Sequence, residues 1–141
     1  MSKKFRFERC ARLAIAALLS LSVTFVACDD DDSPTEPTRG VLFRVQVGAE
    51  TFRIRVNDAE TVRLARENLQ GRNNRHPNGP IREGAGGFNL PWTWHFDPDA
   101  VRMVEVSVEV CDGAPSYVET HKNDYLRSGY CPWGARIVAE E

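Results

Sequence analysis

Residues 41–56 read VLFRVQVGAETFRIRV, and the alternation in this stretch decides the fold. Val41, Phe43, Val45 and Val47 fall on one side of an extended chain, with Leu42, Arg44 and Gln46 on the other. Gly48-Ala49-Glu50 interrupts, and then Phe52, Ile54 and Val56 point one way and Arg53 and Arg55 the other. Two period-two segments around a short Gly-containing turn predict an antiparallel hairpin with one face in a core. A chain of 141 residues has room for one such core, hence one domain.

Downstream of the hairpin, Asn57 is placed to cap a helix, with Glu60 completing a capping box. Val62, Ala65 and Leu69 share one helical face with Leu64 beside it. Arg63 and Glu67 are spaced to pair, and Gly71 ends the helix. Residues 71–87, rich in Gly, Pro and Asn, read as one long loop with His76 solvated. Its Gly84-Ala85-Gly86-Gly87 run lacks the Gly-Lys-Ser/Thr of a phosphate loop and precedes a strand rather than a helix. Trp92, Trp94 and Phe96 alternate with Thr93, His95 and Asp97, and Asp97-Pro98-Asp99-Ala100 is a turn. Met103 to Val110 reads as the clearest strand, with Val104, Val106, Val108 and Val110 inward and Glu105, Ser107 and Glu109 outward. A bulged turn would pair it with the Trp strand and bring His95 near Glu105. Ser116 to Leu126 includes a short helix opened by a Ser116–Glu119 capping box, and Ala135 to Ala139 is a closing strand. The expected class is α+β: a small, mostly antiparallel sheet of about five strands with one or two helices, over residues 41–141.

The N-terminus reads as an address. Lys3, Lys4, Arg6, Arg9 and Arg12 precede the uncharged run LAIAALLSLSVTFVA at 13–27, the pattern of a secretory signal peptide over residues 1–27. The run falls short of the ~20 apolar residues that span a bilayer. Phe25-Val26-Ala27-Cys28 resembles a bacterial lipobox, with Phe25 where Leu is usual, which makes Cys28 the lipid-attachment residue. Ordinary cleavage near Ala27, leaving a spare thiol and a secreted protein, is the alternative. Residues 28–40, with four consecutive Asp and two Pro, form an acidic, extended tether rather than a calcium loop, whose ligands are spaced around a Gly.

Cys10 lies in the leader and Cys28 at the anchor, so Cys111 and Cys131 remain for one disulfide in an oxidising compartment. The formal net charge of −2 excludes a strongly basic nucleic-acid binder. Losing the leader leaves a more acidic chain whose excess sits largely in the tether, so the domain's charge points to no partner.

The constellation Trp92-x-Trp94-His95-x-Asp97-Pro98, then Glu109-Val110-Cys111-Asp112-Gly113-x-Pro115-Ser116-x-Val118-Glu119, then Cys131-Pro132-Trp133, is distinctive. It resembles the N-terminal domain family named after a slime-mould calmodulin-binding protein, over roughly residues 41–140. The resemblance brings no catalytic residues. Calmodulin binding is not carried over, because the helix after Asn57 balances its acids and arginines and is not a basic amphipathic target.

Two readings of function follow. The first is a lipid-anchored binding module of the bacterial cell envelope, on the outer side of the cytoplasmic membrane or in the outer membrane. Trp92, Trp94, His95, Asp97 and Trp133 are its candidate ligand residues, and an envelope protein or glycan its partner. No catalytic residue, metal or cofactor is assigned. The alternative is a small hydrolase or metal-binding protein using His95, Asp97 and Glu105, with His121 as a further member of the set.

Overall fold

The protein is described from a computed structural model covering residues 40–141. The leader, Cys10, Cys28 and the tether up to residue 39 lie outside the described residues. The element order is β1 (Val41–Val47), β2 (Glu50–Val56), α1 (Ala59–Leu69), β3 (His76–Asn78), β4 (Ile81–Glu83), β5 (Trp94–Phe96) and β6 (Arg102–Val104), then a 3-10 turn (Glu109–Cys111), α2 (Pro115–Thr120), α3 (Lys122–Ser128) and β7 (Arg136–Glu140). The class is α+β. Three small antiparallel sheets carry it, with orders β2-β1-β7, β3-β6 and β4-β5. No helix among the described residues is long and apolar enough to cross a membrane.

The hairpin forms in the expected register. Phe43 faces Ile54 and Val45 faces Phe52, and Gly48 takes the left-handed φ of +58° that the two-residue turn requires. Those inward side chains meet an aromatic nucleus. Phe52, Trp94, Phe96 and Tyr130 lie with ring centroids 5.4–6.4 Å apart, and Tyr125 stands edge-on to Tyr130 at 5.6 Å. Each large side chain buried this way contributes about 1.5–3 kcal/mol.

Both edges of the three-stranded sheet are closed by a buried asparagine. On the β2 edge, Asn89 is wholly buried; its Oδ1 accepts from the Arg53 N–H at 2.6 Å and its Nδ2 donates to the Trp94 carbonyl at 2.8 Å. Trp92 completes that edge by donating Nε1 to the Thr51 carbonyl at 2.9 Å. On the β7 edge, Asn68 of α1 accepts from the Ile137 N–H at 2.8 Å while its amide holds the Arg75 carbonyl at 2.8 Å. A bare strand edge invites pairing with another chain, and two side chains here remove that opening.

Several sequence expectations are corrected. The α1 cap is Asp58, whose Oδ1 accepts from the Thr61 N–H and hydroxyl at 2.8 and 2.6 Å; Asn57 instead bonds Asp99 at 2.7 Å. Asp58→Ala should therefore lower the urea midpoint, and Asn57→Ala should lower it less. Leu69 is exposed because Asn68 takes the inward place on the last turn. The 71–87 loop holds two three-residue strands, too short to show a period. His76, on the first of them, is buried. The strand expected over Met103–Val110 stops at Val104, and it pairs with β3 while β5 pairs with β4. Ser116 does not cap α2, which opens on Pro115; its hydroxyl and N–H both bond Glu50, at 2.7 and 2.8 Å.

Candidate functional site

The expected candidates are mostly spent on structure. Trp94 is wholly buried, and Trp92 lies against it at 6.3 Å with its indole N–H committed to the β2 edge. His95 bonds the Gly84 carbonyl through Nδ1 at 2.6 Å and meets Phe88 edge-on at 5.6 Å. Asp97 accepts from Arg82 at 2.6 Å and from the Asp99 N–H at 3.1 Å, pinning the turn. Burial raises its carboxyl, but Arg82 and the Asp99 N–H outweigh that and hold it below the usual range.

The His95–Asp97–Glu105 set is not assembled. Glu105 follows directly on β6 and pairs with Arg75 at 2.7 Å, whereas His95 and Asp97 belong to the β4–β5 side. Among the described residues no three of His, Cys, Asp and Glu are grouped to hold a metal. His121 stacks on Tyr117 at 3.9 Å, away from that set in its contacts. A cleft of about 440 Å³ is lined by Arg44, Arg53, Leu90 and Pro91, but the Glu141 carboxylate already engages both arginines.

Trp133 is the candidate that keeps an open ring, at 43% exposure, and it stands beside a surface the sequence reading placed in the core. Val106, Val108 and Val110 are 83%, 64% and 78% exposed. Ser107, between them, turns toward the domain: its Oγ accepts from the Trp133 indole N–H at 2.8 Å and meets His76 Nε2 at 2.6 Å. That inward contact leaves the two flanking valines on the solvent side of the extended chain. Exposed apolar residues gathered in one place mark interaction surfaces, whereas scattered ones are ordinary.

This surface rests on a dense scaffold. Cys111 and Cys131 are disulfide-bonded with Cα atoms 5.1 Å apart, and the Cys131 N–H donates to the Cys111 carbonyl at 2.8 Å. The Tyr125 and Tyr130 hydroxyls donate to the Asp112 and Gly113 carbonyls at 2.5 and 2.8 Å. Asp112 Oδ1 accepts from the Trp133 N–H at 2.8 Å. The aromatic nucleus, the bridge and the Trp133 turn thus form one rigid mount for the valines.

The family comparison falls on this same stretch of chain. The model of the calmodulin-binding protein 74 N-terminal domain matches residues 38–141, which takes in the hairpin, the Trp strand, the disulfide and Trp133. The chain belongs to this N-terminal domain family. No curated protein and no solved structure matches it. The resemblance expected for residues 41–140 is therefore shown, and the Cys111–Cys131 bridge of this family member is where the cysteine reasoning put it.

His76 links the site to pH. Burial holds its imidazole below the usual range, with the charge of Asp112 pulling the other way. The unfolded chain takes up its proton near pH ~6.5, and the folded domain only at lower pH. Stability is thus full above ~6.5 and falls as pH drops through that value toward the folded pKa. The urea midpoint should decline as pH falls below about 6.5, and His76→Gln should flatten that decline. Asp97 and Glu119, both held below the usual carboxylate range, act in a separate window, where their stabilisation is lost below about pH 4.

Proposed function

We propose that this member of the calmodulin-binding-protein N-terminal domain family is an exported, lipid-anchored binding module of a bacterial cell envelope that holds its partner on the Val106–Val110 and Trp133 surface. The observation carrying the binding role is that surface. Three β-branched side chains and an indole stand in water on a mount of aromatic packing, hydrogen bonds and a disulfide. Each valine left exposed forgoes roughly 1.5 kcal/mol that burial against a partner would supply. Export and anchoring are supported by the basic leader, the apolar run and Cys28 with its acidic tether. Two or three acyl chains on Cys28, at about 0.8 kcal/mol per buried CH₂, would hold a domain of this size on a membrane.

The test separates anchor from surface. Mass analysis of the membrane-extracted chain should give a diacylglyceryl Cys28 N-terminus, and Cys28→Ala should move the chain to the soluble fraction. A mature N-terminus elsewhere would refute the anchor. Cross-linking in the envelope should yield one heteromeric species that Val108→Lys abolishes and Arg136→Glu, on the outer sheet face, leaves intact. Equal sensitivity to both changes, or no species, would remove the binding role from this surface.

A further inference from the structure

We propose that the Glu105–Val108 segment takes up an added β-strand from a partner whose sequence alternates apolar and basic residues. The proposal rests on the reading of this surface as the ligand-bearing one and names the chemistry of what it takes.

The backbone is ready for a strand. β6 loses its partner after Val104, yet Val108 keeps extended angles of φ −85° and ψ 150°. Among the described residues the N–H groups of Val106, Ser107 and Val108 have no backbone acceptor, and the Val106 and Ser107 carbonyls have no donor. The two edges of the three-stranded sheet received the opposite treatment, since Asn89 and Asn68 close β2 and β7. A domain that seals two edges with buried side chains leaves this segment open, with alternating β-branched residues suited to a pleated surface. Main-chain ladder bonds supply affinity in such strand addition, and alternate side chains supply selection.

The side chains specify the partner. On one face Val106 and Val108 ask for apolar residues opposite. On the other, Glu105 has one cation, Arg75; Glu109, which opens the 3-10 turn just past the segment, has no ion-pair partner among the described residues. Opposite charges directly across a ladder stabilise it and like charges oppose it. Lysine or arginine therefore belongs opposite Glu105 and beside Glu109 at the end of the segment. A second copy of this chain fits poorly. Val104 to Val110 reads V-E-V-S-V-E-V in both directions, so an antiparallel pair centred on Ser107 would bring Glu105 of each copy toward Glu109 of the other, like charge to like charge.

The full-length chain in detergent micelles, titrated with labelled nine-residue peptides, tests this by fluorescence anisotropy. One peptide alternates valine and threonine with lysine; its counterpart carries glutamate in place of lysine. The lysine peptide should bind with a Kd lower by about tenfold or more, and Glu109→Lys should remove that preference while leaving the thermal midpoint in place. Equal binding of the two peptides overturns the charge complementarity. Binding by neither, or self-association of the chain that Val108→Lys abolishes, overturns the strand-addition partner. If the peptides fail while the envelope cross-link still depends on Val108, this inference falls and the binding surface stands; if both fail, the surface falls with it.

Discussion

Asn89→Ala is expected to be the most damaging single change in the domain, lowering stability by about 3 kcal/mol in urea unfolding. The cost follows from what the side chain holds. Its removal leaves the Arg53 N–H and the Trp94 carbonyl without partners in a site where Asn89 itself is wholly buried. Each orphaned buried group costs about 1–3 kcal/mol. For a domain of this size that corresponds to a drop in Tm of roughly 10–20 °C. Asn89→Asp keeps the acceptor but loses the donor and buries a charge, so it should be no milder. Asn89→Ala unfolding at the wild-type midpoint would show that the loop around it carries no load and that the β2 edge is closed by other means.

Opening the disulfide is expected to have the next largest effect. A bridge across a sequence separation of 20 stabilises by roughly 3 kcal/mol on the loop-entropy estimate. Cys111→Ala with Cys131→Ala should lower the urea midpoint accordingly, and reductant should do the same to the unmodified chain. The bridge also has a positional role, because Trp133 reaches Asp112 and Ser107 from the turn that Cys131 begins. The double variant should therefore weaken peptide binding at a denaturant concentration where it is still folded. Loss of stability with full binding would mean that the tyrosine hydroxyls on Asp112 and Gly113 hold the valine segment by themselves.

Much of the hairpin was legible because its signal is local. Alternation, a glycine turn and register all lie within residues 41–56, and the structure pairs them as the pattern demands. The two cysteines were legible by elimination. The valine segment was not, because a V-x-V-x-V pattern reports that one face is apolar and says nothing about whether this chain supplies a layer to cover it. Pairing of β5 with β4 rather than with β6 depends on a three-residue strand inside a Gly-rich loop, where no period can be read. Asn68 and Asn89 look like ordinary polar residues in sequence; their burial is set by donors and carbonyls far along the chain, at Ile137, Arg75, Arg53 and Trp94. His95 and Asp97 drew notice as chemistry-bearing types, and both turned out to be held by turn and loop contacts.

The family membership, the fold and the disulfide are facts of this chain; the proposed binding role is built on the open valine segment. Its amides decide the matter. Hydrogen exchange at Val106 and Val108, whose N–H groups share one edge of the extended segment, is to be followed in the full-length chain, first in detergent micelles and then in its native envelope. The account predicts exchange at the unprotected rate in micelles and slowing by about tenfold or more in the envelope, as a partner strand pairs with these groups. Protection already present in micelles, or the same rapid exchange in both settings, would contradict it.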